Sequence, residues 1–216
     1  MAVNDQTYLD SDDKDYLDPP GILNELKKGL QRFLDGTSAH PHATEARRHQ
    51  LLGGQHPQIA VLACSDSRVP VEVIFDAGFG DLFVIRNAGN TNTFGSVGSI
   101  EYAIEDLKIR LLLVMSHQGC GAVKAAYLRN QAFSPSLTEL VNDIKGGLNQ
   151  NGLDTNDETS YERACVQHSM ITAQSLIQSS KIIERAVLEK NLLVQPAFLH
   201  IDPLSIEWLD TFYGKT

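Results

Sequence analysis

Three short apolar runs constrain the possible fold more than any other feature of this chain. Ile59-Ala-Val-Leu-Ala63, Leu82-Phe-Val-Ile85 and Leu111-Leu-Leu-Val-Met115 are continuous, with no polar residue alternating in. A strand with one wet face alternates; an unbroken run needs cover on both faces, as in a parallel sheet between helices. Helical stretches separate the runs, at Pro70 to Phe75, Ser96 to Leu107 and Ala122 to Arg129. Strands alternating with helices imply a parallel sheet with right-handed crossovers. Val194 to Ile201 and Ser205 to Leu209 read as two more strands, with Asp202-Pro203 as the turn between them.

The rest of the chain sorts around this sheet. An amphipathic helix after Pro19-Pro20 places Leu23, Leu26, Leu30, Phe33 and Leu34 on one face, and Gly36 stops it. A second helix runs from Thr44 to Leu52. Residues 130–136 and 146–157 are rich in Asn, Gly, Asp and Pro and read as loops. A long helix follows from Tyr161 to Lys190, with a stripe of Cys165, Ser169, Ala173, Leu176, Ser180, Ile183 and Val187. The division is residues 1–36 as an acidic arm plus amphipathic helix, and 37–216 as a single α/β domain.

Charge excludes some functions. The net charge is −9, but residues 1–18 carry −5 of it and the remaining 198 residues only −4. No basic face is available for a nucleic acid. No apolar run reaches the ~18 residues of a membrane helix, and no secretory leader is visible, so a cytoplasmic protein is expected. Three cysteines, Cys64, Cys120 and Cys165, are too few and too odd for a disulfide framework.

The chemistry gathers just past two strand ends, where α/β sheets present their ligands. Cys64-Ser-Asp-Ser-Arg68 follows the first run and His117-Gln-Gly-Cys-Gly121 follows the third. Cys64, His117 and Cys120 make a Cys₂His set that suits zinc. Gly119 and Gly121 remove Cβ atoms where the backbone turns. Only three soft donors are present, whereas closed structural sites use four, so the site is expected to be open or closed by a labile ligand, with Asp66 near enough in sequence to supply an oxygen. Asp66 and Arg68 can pair in the turn, which keeps Asp66 ionised and off the metal. Zinc with two thiolates and an imidazole is formally neutral and acidifies bound water less than a His₃ site does, so an activity rising with pH is expected. Cys165, on a helix stripe without a partnering ligand at i+4, reads as core. His40, His42, His49 and His56 read as surface histidines, and Gly95 and Gly98 as a helix start.

Four ordered segments resemble the β-class carbonic anhydrases: Ala63-Cys-Ser-Asp-Ser-Arg68, Gly80-Asp-Leu-Phe-Val-Ile-Arg-Asn-Ala-Gly-Asn90, Gly98-Ser-Ile-Glu-Tyr-Ala103 and His117-Gln-Gly-Cys-Gly-Ala-Val123. The resemblance is dense from Pro57 to Ala126, looser to Leu209 and absent from the acidic arm. It implies a mostly parallel four-stranded sheet with an antiparallel edge strand and flanking helices. It implies Zn²⁺ on Cys64, His117 and Cys120, an Asp66–Arg68 dyad, and a zinc-bound hydroxide that converts CO2 to bicarbonate and a proton. Gln55, Phe83, Tyr102 and the Gly121 N–H match substrate-pocket positions, some reaching in from a dimer partner, so a homodimer or larger homo-oligomer is implied. Val61, where one branch of the family has Trp, and Gln55 favour the always-open type. Ser116 departs from the family's Gly before the His. Two other readings use the same residues: a CS2 or COS hydrolase, and a non-catalytic zinc-binding interaction module with a closed site.

Overall fold

The computed structural model describes residues 17–127 and 132–216. The first 16 residues of the acidic arm, and Arg129, lie outside the described residues. The elements run α1 (Pro19–Leu34), α2 (Glu45–Gln50), β1 (Ile59–Cys64), α3 (Val71–Ile74), β2 (Leu82–Asn87), α4 (Phe94–Glu105), β3 (Leu111–His117), α5 (Gly121–Ala126), α6 (Pro135–Gln150), α7 (Tyr161–Ser179), α8 (Lys181–Leu188), β4 (Leu193–His200) and β5 (Ser205–Trp208).

The five strands form one sheet in the order β2-β1-β3-β4-β5. The first four are parallel and β5 is antiparallel to β4. This is the mixed α/β architecture expected. β1 and β3 are fully buried along their lengths, which is why their sequences are unbroken apolar runs. Odd-numbered residues of β1 and β3 (Ile59, Val61, Ala63, Leu111, Leu113, Met115) pack with Ile22, Leu26 and Leu30 of α1. Even-numbered ones (Ala60, Leu62, Leu112, Val114) pack with Ile100 of α4, Leu176 of α7 and Ile183 of α8. α1 therefore covers its own sheet. Asp18 caps it by accepting from the Gly21 N–H at 2.9 Å.

Three local readings change. The segment between the two expected loops is the helix α6, which takes in parts of both. Ser134 caps it, Pro135 opens it, and Val141, Ile144 and Leu148 form its buried stripe. Gly147 lies inside it because α7 comes close: a Cβ there would sit 3.2 Å from Ile171. The expected long helix is two helices, broken at Ser180, whose backbone is extended and whose side chain caps α8. The Ser180 hydroxyl also donates to Glu101 at 2.6 Å, tying the break to α4. All seven residues of the expected stripe are buried across the break. His42 is not a surface residue. It is buried and its Nδ1 donates to Asp81 at 2.6 Å, while Asp81 also accepts the Gly78 N–H at 2.7 Å. His40, His49 and His56 are exposed as read.

Leu113 sits at the centre of β3 with no exposed surface. Leu113→Ala is expected to cost about 3–5 kcal/mol, from lost burial plus the cavity left behind. Urea unfolding monitored by circular dichroism measures this.

Candidate metal centre

The sheet order places the site. From β1 the chain steps to β2 on one side, then returns past β1 to β3 on the other. Ligands collect at such a switch point, outside the carboxyl ends of the strands. Cys64 ends β1 and His117 ends β3, and the register pairs Ala63 with Met115. Cys120 is the N-cap of α5. The turn that brings it back to His117 needs a left-handed residue, which Gly119 provides at φ 68°.

The Cys64, His117 and Cys120 ligand atoms all lie within 4.8 Å of one another, and all three residues are buried. His117 Nδ1 lies 3.0 Å from the Gln118 carbonyl oxygen, which can only accept, so Nδ1 carries the proton. Nε2 then presents a lone pair, and it is buried without a hydrogen-bond partner. The Cys120 thiol, more than any other group, holds Cys64 well below the usual thiol range, against burial, with the Gly89 and Asp66 N–H groups adding to the effect. Cys120 moves upward because it keeps its proton beside the Cys64 sulfur, in a buried place. A buried imidazole lone pair beside two thiols that divide their protons unequally is the donor set of a soft dication, and zinc fits it.

Asp66 stands at the edge of this cluster. Arg68 grips it in a fork, Nε to Oδ1 at 2.9 Å and a guanidinium NH2 to Oδ2 at 2.7 Å, and its own N–H donates to Oδ1 at 2.9 Å. The Arg68 side chain, first among several causes, holds the Asp66 carboxyl well below the usual carboxylate range. Oδ2 lies 3.9 Å from His117 Nε2. Gly121 opens α5 onto free space: a Cβ there would touch nothing within 4 Å.

Gln55, Phe83 and Tyr102 are not at this cluster within one chain. Phe83 pairs with Ala60, four residues before the end of β1, or ~13 Å along the strand. Tyr102 packs on Phe83 with ring centroids 6.1 Å apart and is half exposed. Gln55 is exposed in the segment before β1. Cys165 is buried and outside the donor group. Ser116 is accommodated in β3, with its hydroxyl directed to the Ala197 carbonyl at 3.5 Å.

Three supporting residues carried no role in the sequence reading. Arg86 donates to the Cys64 carbonyl at 2.9 and 3.0 Å and to the Asp66 carbonyl at 2.7 Å, clamping the turn that holds both. Gln118 accepts from the Ile201 and Asp202 N–H groups, tying the site to the β4–β5 turn. Tyr161 donates to the Cys120 carbonyl at 3.1 Å. The register that sets Arg86 opposite Ala63 could have pointed to the first; nothing local marks the other two.

Fold and site together define a mostly parallel α/β protein with a thiol–imidazole cluster at its switch point. A family model described as carbonic anhydrase matches residues 59–203. The chain belongs to the carbonic anhydrase family, in its β class. Carbonic anhydrase 2 of Mycobacterium tuberculosis is 44% identical over 108 residues, 50% of this chain and 52% of its own length. The chain thus spans about half the length of that curated relative. A carbonic anhydrase of Synechocystis is 42% identical over 198 residues, covering 87% of this chain and 67% of its own. The solved β-carbonic anhydrase CcaA is 28% identical with a TM-score of 0.68 over 87% of each chain.

Cys64→Ser is expected to leave about a tenth or less of the wild-type zinc content, since two remaining donors hold zinc poorly. Metal analysis of the purified proteins reads this directly. Stripping zinc with a chelator is expected to lower the thermal midpoint, because binding to the folded state alone stabilises it.

Proposed function

We propose that this protein catalyses the reversible hydration of CO2 to bicarbonate and a proton, with Zn²⁺ held by Cys64, His117 and Cys120. The observation that carries this reading is a three-donor cluster with an ionised, Arg-held carboxylate at its edge. Zinc bound there would supply a Lewis acid that lowers the pKa of water, though less far than a His₃ site does. The protein's own groups supply the rest. Asp66, kept ionised, accepts a hydrogen bond and so orients the attacking oxygen. Arg68 holds Asp66 away from the metal, which fits the open-site type and disfavours a closed, non-catalytic zinc module. The space at Gly121, beside a backbone N–H, leaves room for a small linear substrate and a planar anion product. Neither needs a basic surface, in keeping with a charge of −9.

The same reading makes the protein a homodimer or larger homo-oligomer. β2 is paired on one side only among the described residues and keeps Leu82, Phe83, Val84 and Ile85 partly exposed. Phe94 and Tyr102 of α4 are exposed as well, Phe94 at 98%. An antiparallel β2–β2 contact about a two-fold axis sets the early residues of one strand beside the late residues of the other. Phe83 and Tyr102, distant from their own cluster, would then stand near the partner's, and Gln55 is assigned to the same shared pocket. Thiolate ligands require a reducing compartment, so the protein is assigned to the cytoplasm.

Stopped-flow CO2 hydration tests the activity. Zinc-loaded wild type is expected to exceed the buffer rate by orders of magnitude, and Asp66→Asn or Arg68→Ala to lower kcat/KM about 100-fold or more. Hydrolysis of CS2 or COS at a higher kcat/KM would reassign the substrate; no rate above buffer would remove the enzyme reading. The folded Asp66 pKa is depressed, so its ionised state persists above the unfolded value of ~3.9 and is lost only as pH falls below the folded one. The rate is therefore expected to rise through the neutral and alkaline range without an Asp66 limb. A limb near pH 4 that disappears in Asp66→Asn would contradict this. Light scattering at micromolar concentration is expected to give a dimer or larger, and Val84→Asp to shift it toward monomer.

A further inference from the structure

Behind the metal cluster lies a buried histidine that the proposed reaction does not use. His168, on α7, is 3% exposed. Its Nε2 lies 2.6 Å from the Gly89 carbonyl oxygen. That oxygen only accepts, so Nε2 carries the proton and donates. Gly89 in turn donates its own N–H to the Cys64 sulfur at 3.3 Å. One residue thus connects an α7 side chain to a metal-cluster thiol.

We infer that His168 is a positioning residue for the metal centre, fixing the Gly89 N–H on the Cys64 thiolate. The inference rests on the zinc reading above. Gly89 is held in a narrow place: its φ is 75°, and an added Cβ would meet Ala122 at 2.9 Å and Ile144 at 3.0 Å. Asn87 pins the same turn from the other side, donating to the Thr91 carbonyl at 2.9 Å and accepting the Thr91 N–H at 2.7 Å. His168 holds the Gly89 carbonyl by a side-chain hydrogen bond. An N–H aimed at a thiolate stabilises its charge and fixes the direction of its lone pairs, and such outer contacts are worth about 10- to 100-fold in metal affinity.

A residue serving only to fill the core would be apolar here. His168 instead brings a polar ring into a buried place, and burial disfavours its charged form, which keeps it a neutral single donor toward Gly89. Its other ring nitrogen, Nδ1, is buried without a hydrogen-bond partner, so the bond to Gly89 is the polar contact that orients the ring.

The test compares His168→Leu, which removes the donor, with His168→Gln, which keeps one at similar reach. Two readouts are taken on the full chain. The first is amide hydrogen exchange at Gly89 by NMR in the metal-free protein; the second is zinc affinity by chelator competition, with the cobalt–thiolate absorption band of the Co²⁺ form. His168→Leu is expected to lose about 10-fold in Gly89 protection and about 10-fold in zinc affinity, with a weakened thiolate band. Protection at Leu176, on the same helix, is expected to stay within twofold, and His168→Gln to recover most of both losses. Unchanged Gly89 protection in His168→Leu would overturn the inference, as would equal losses at Leu176 or no recovery in His168→Gln. If the wild type binds no zinc, the functional reading falls, and Gly89 protection alone decides this inference.

Discussion

Everything proposed for this molecule depends on the register between two neighbouring parallel strands. β1 and β3 are paired so that Ala63 stands opposite Met115, and both strands finish at the same edge of the sheet. Cys64 and His117 therefore end side by side, and one left-handed glycine later the chain delivers Cys120. A side chain's face changes with each residue of slip. A shift of one residue would exchange the two faces of β1, setting Ala60 and Leu62 against α1 and Ile59 and Val61 against α4, α7 and α8, and would carry Cys64 off the donor group. The cores on the two faces of the sheet thus fix the register, and the register fixes the metal centre.

The surroundings of the cluster follow a consistent electrostatic plan. Two buried thiols side by side ionise unequally, Cys64 readily and Cys120 with difficulty, because Cys120 keeps its proton for the Cys64 sulfur and both burial and the Cys64 charge oppose a second thiolate. That is the condition under which a dication binds well: it neutralises both charges, and the imidazole lone pair is already waiting. Arg68 holds the Asp66 carboxylate in a fork at the edge of the cluster, and in the proposed reaction that carboxylate orients the attacking oxygen. Arg86 and Gly89 hold the backbone and sulfur of Cys64 from two further directions. The donors are few, and their supports are many.

Much of this was legible in the chain. Continuous apolar runs specify a sheet buried on both faces, and the soft donors fall directly after two of those runs, so the sheet type and the ligand set could be read together. The antiparallel edge strand and the substrate-pocket residues came only through family resemblance. What escaped did so for physical reasons. α6 was hidden because Gly146 and Gly147 look like loop residues, although Gly147 is there to admit Ile171 of α7. The break at Ser180 was hidden because the apolar stripe continues across it, while a capping serine redirects the backbone. His42 looked like a surface residue because its partner, Asp81, is 39 positions away. Arg86, Gln118, Tyr161 and His168 act through backbone atoms of residues distant in sequence, and only folded geometry brings those together.

The central claim is that two strand ends deliver two thiolates and one imidazole to a single zinc ion and leave a fourth position for a light ligand. Zinc-edge X-ray absorption of the loaded wild type tests it most directly. Two sulfur neighbours at ~2.3 Å and two nitrogen or oxygen neighbours at ~2.0–2.1 Å are expected. Three or four sulfurs, which would bring in Cys165 or another chain, or fewer than two, would contradict it.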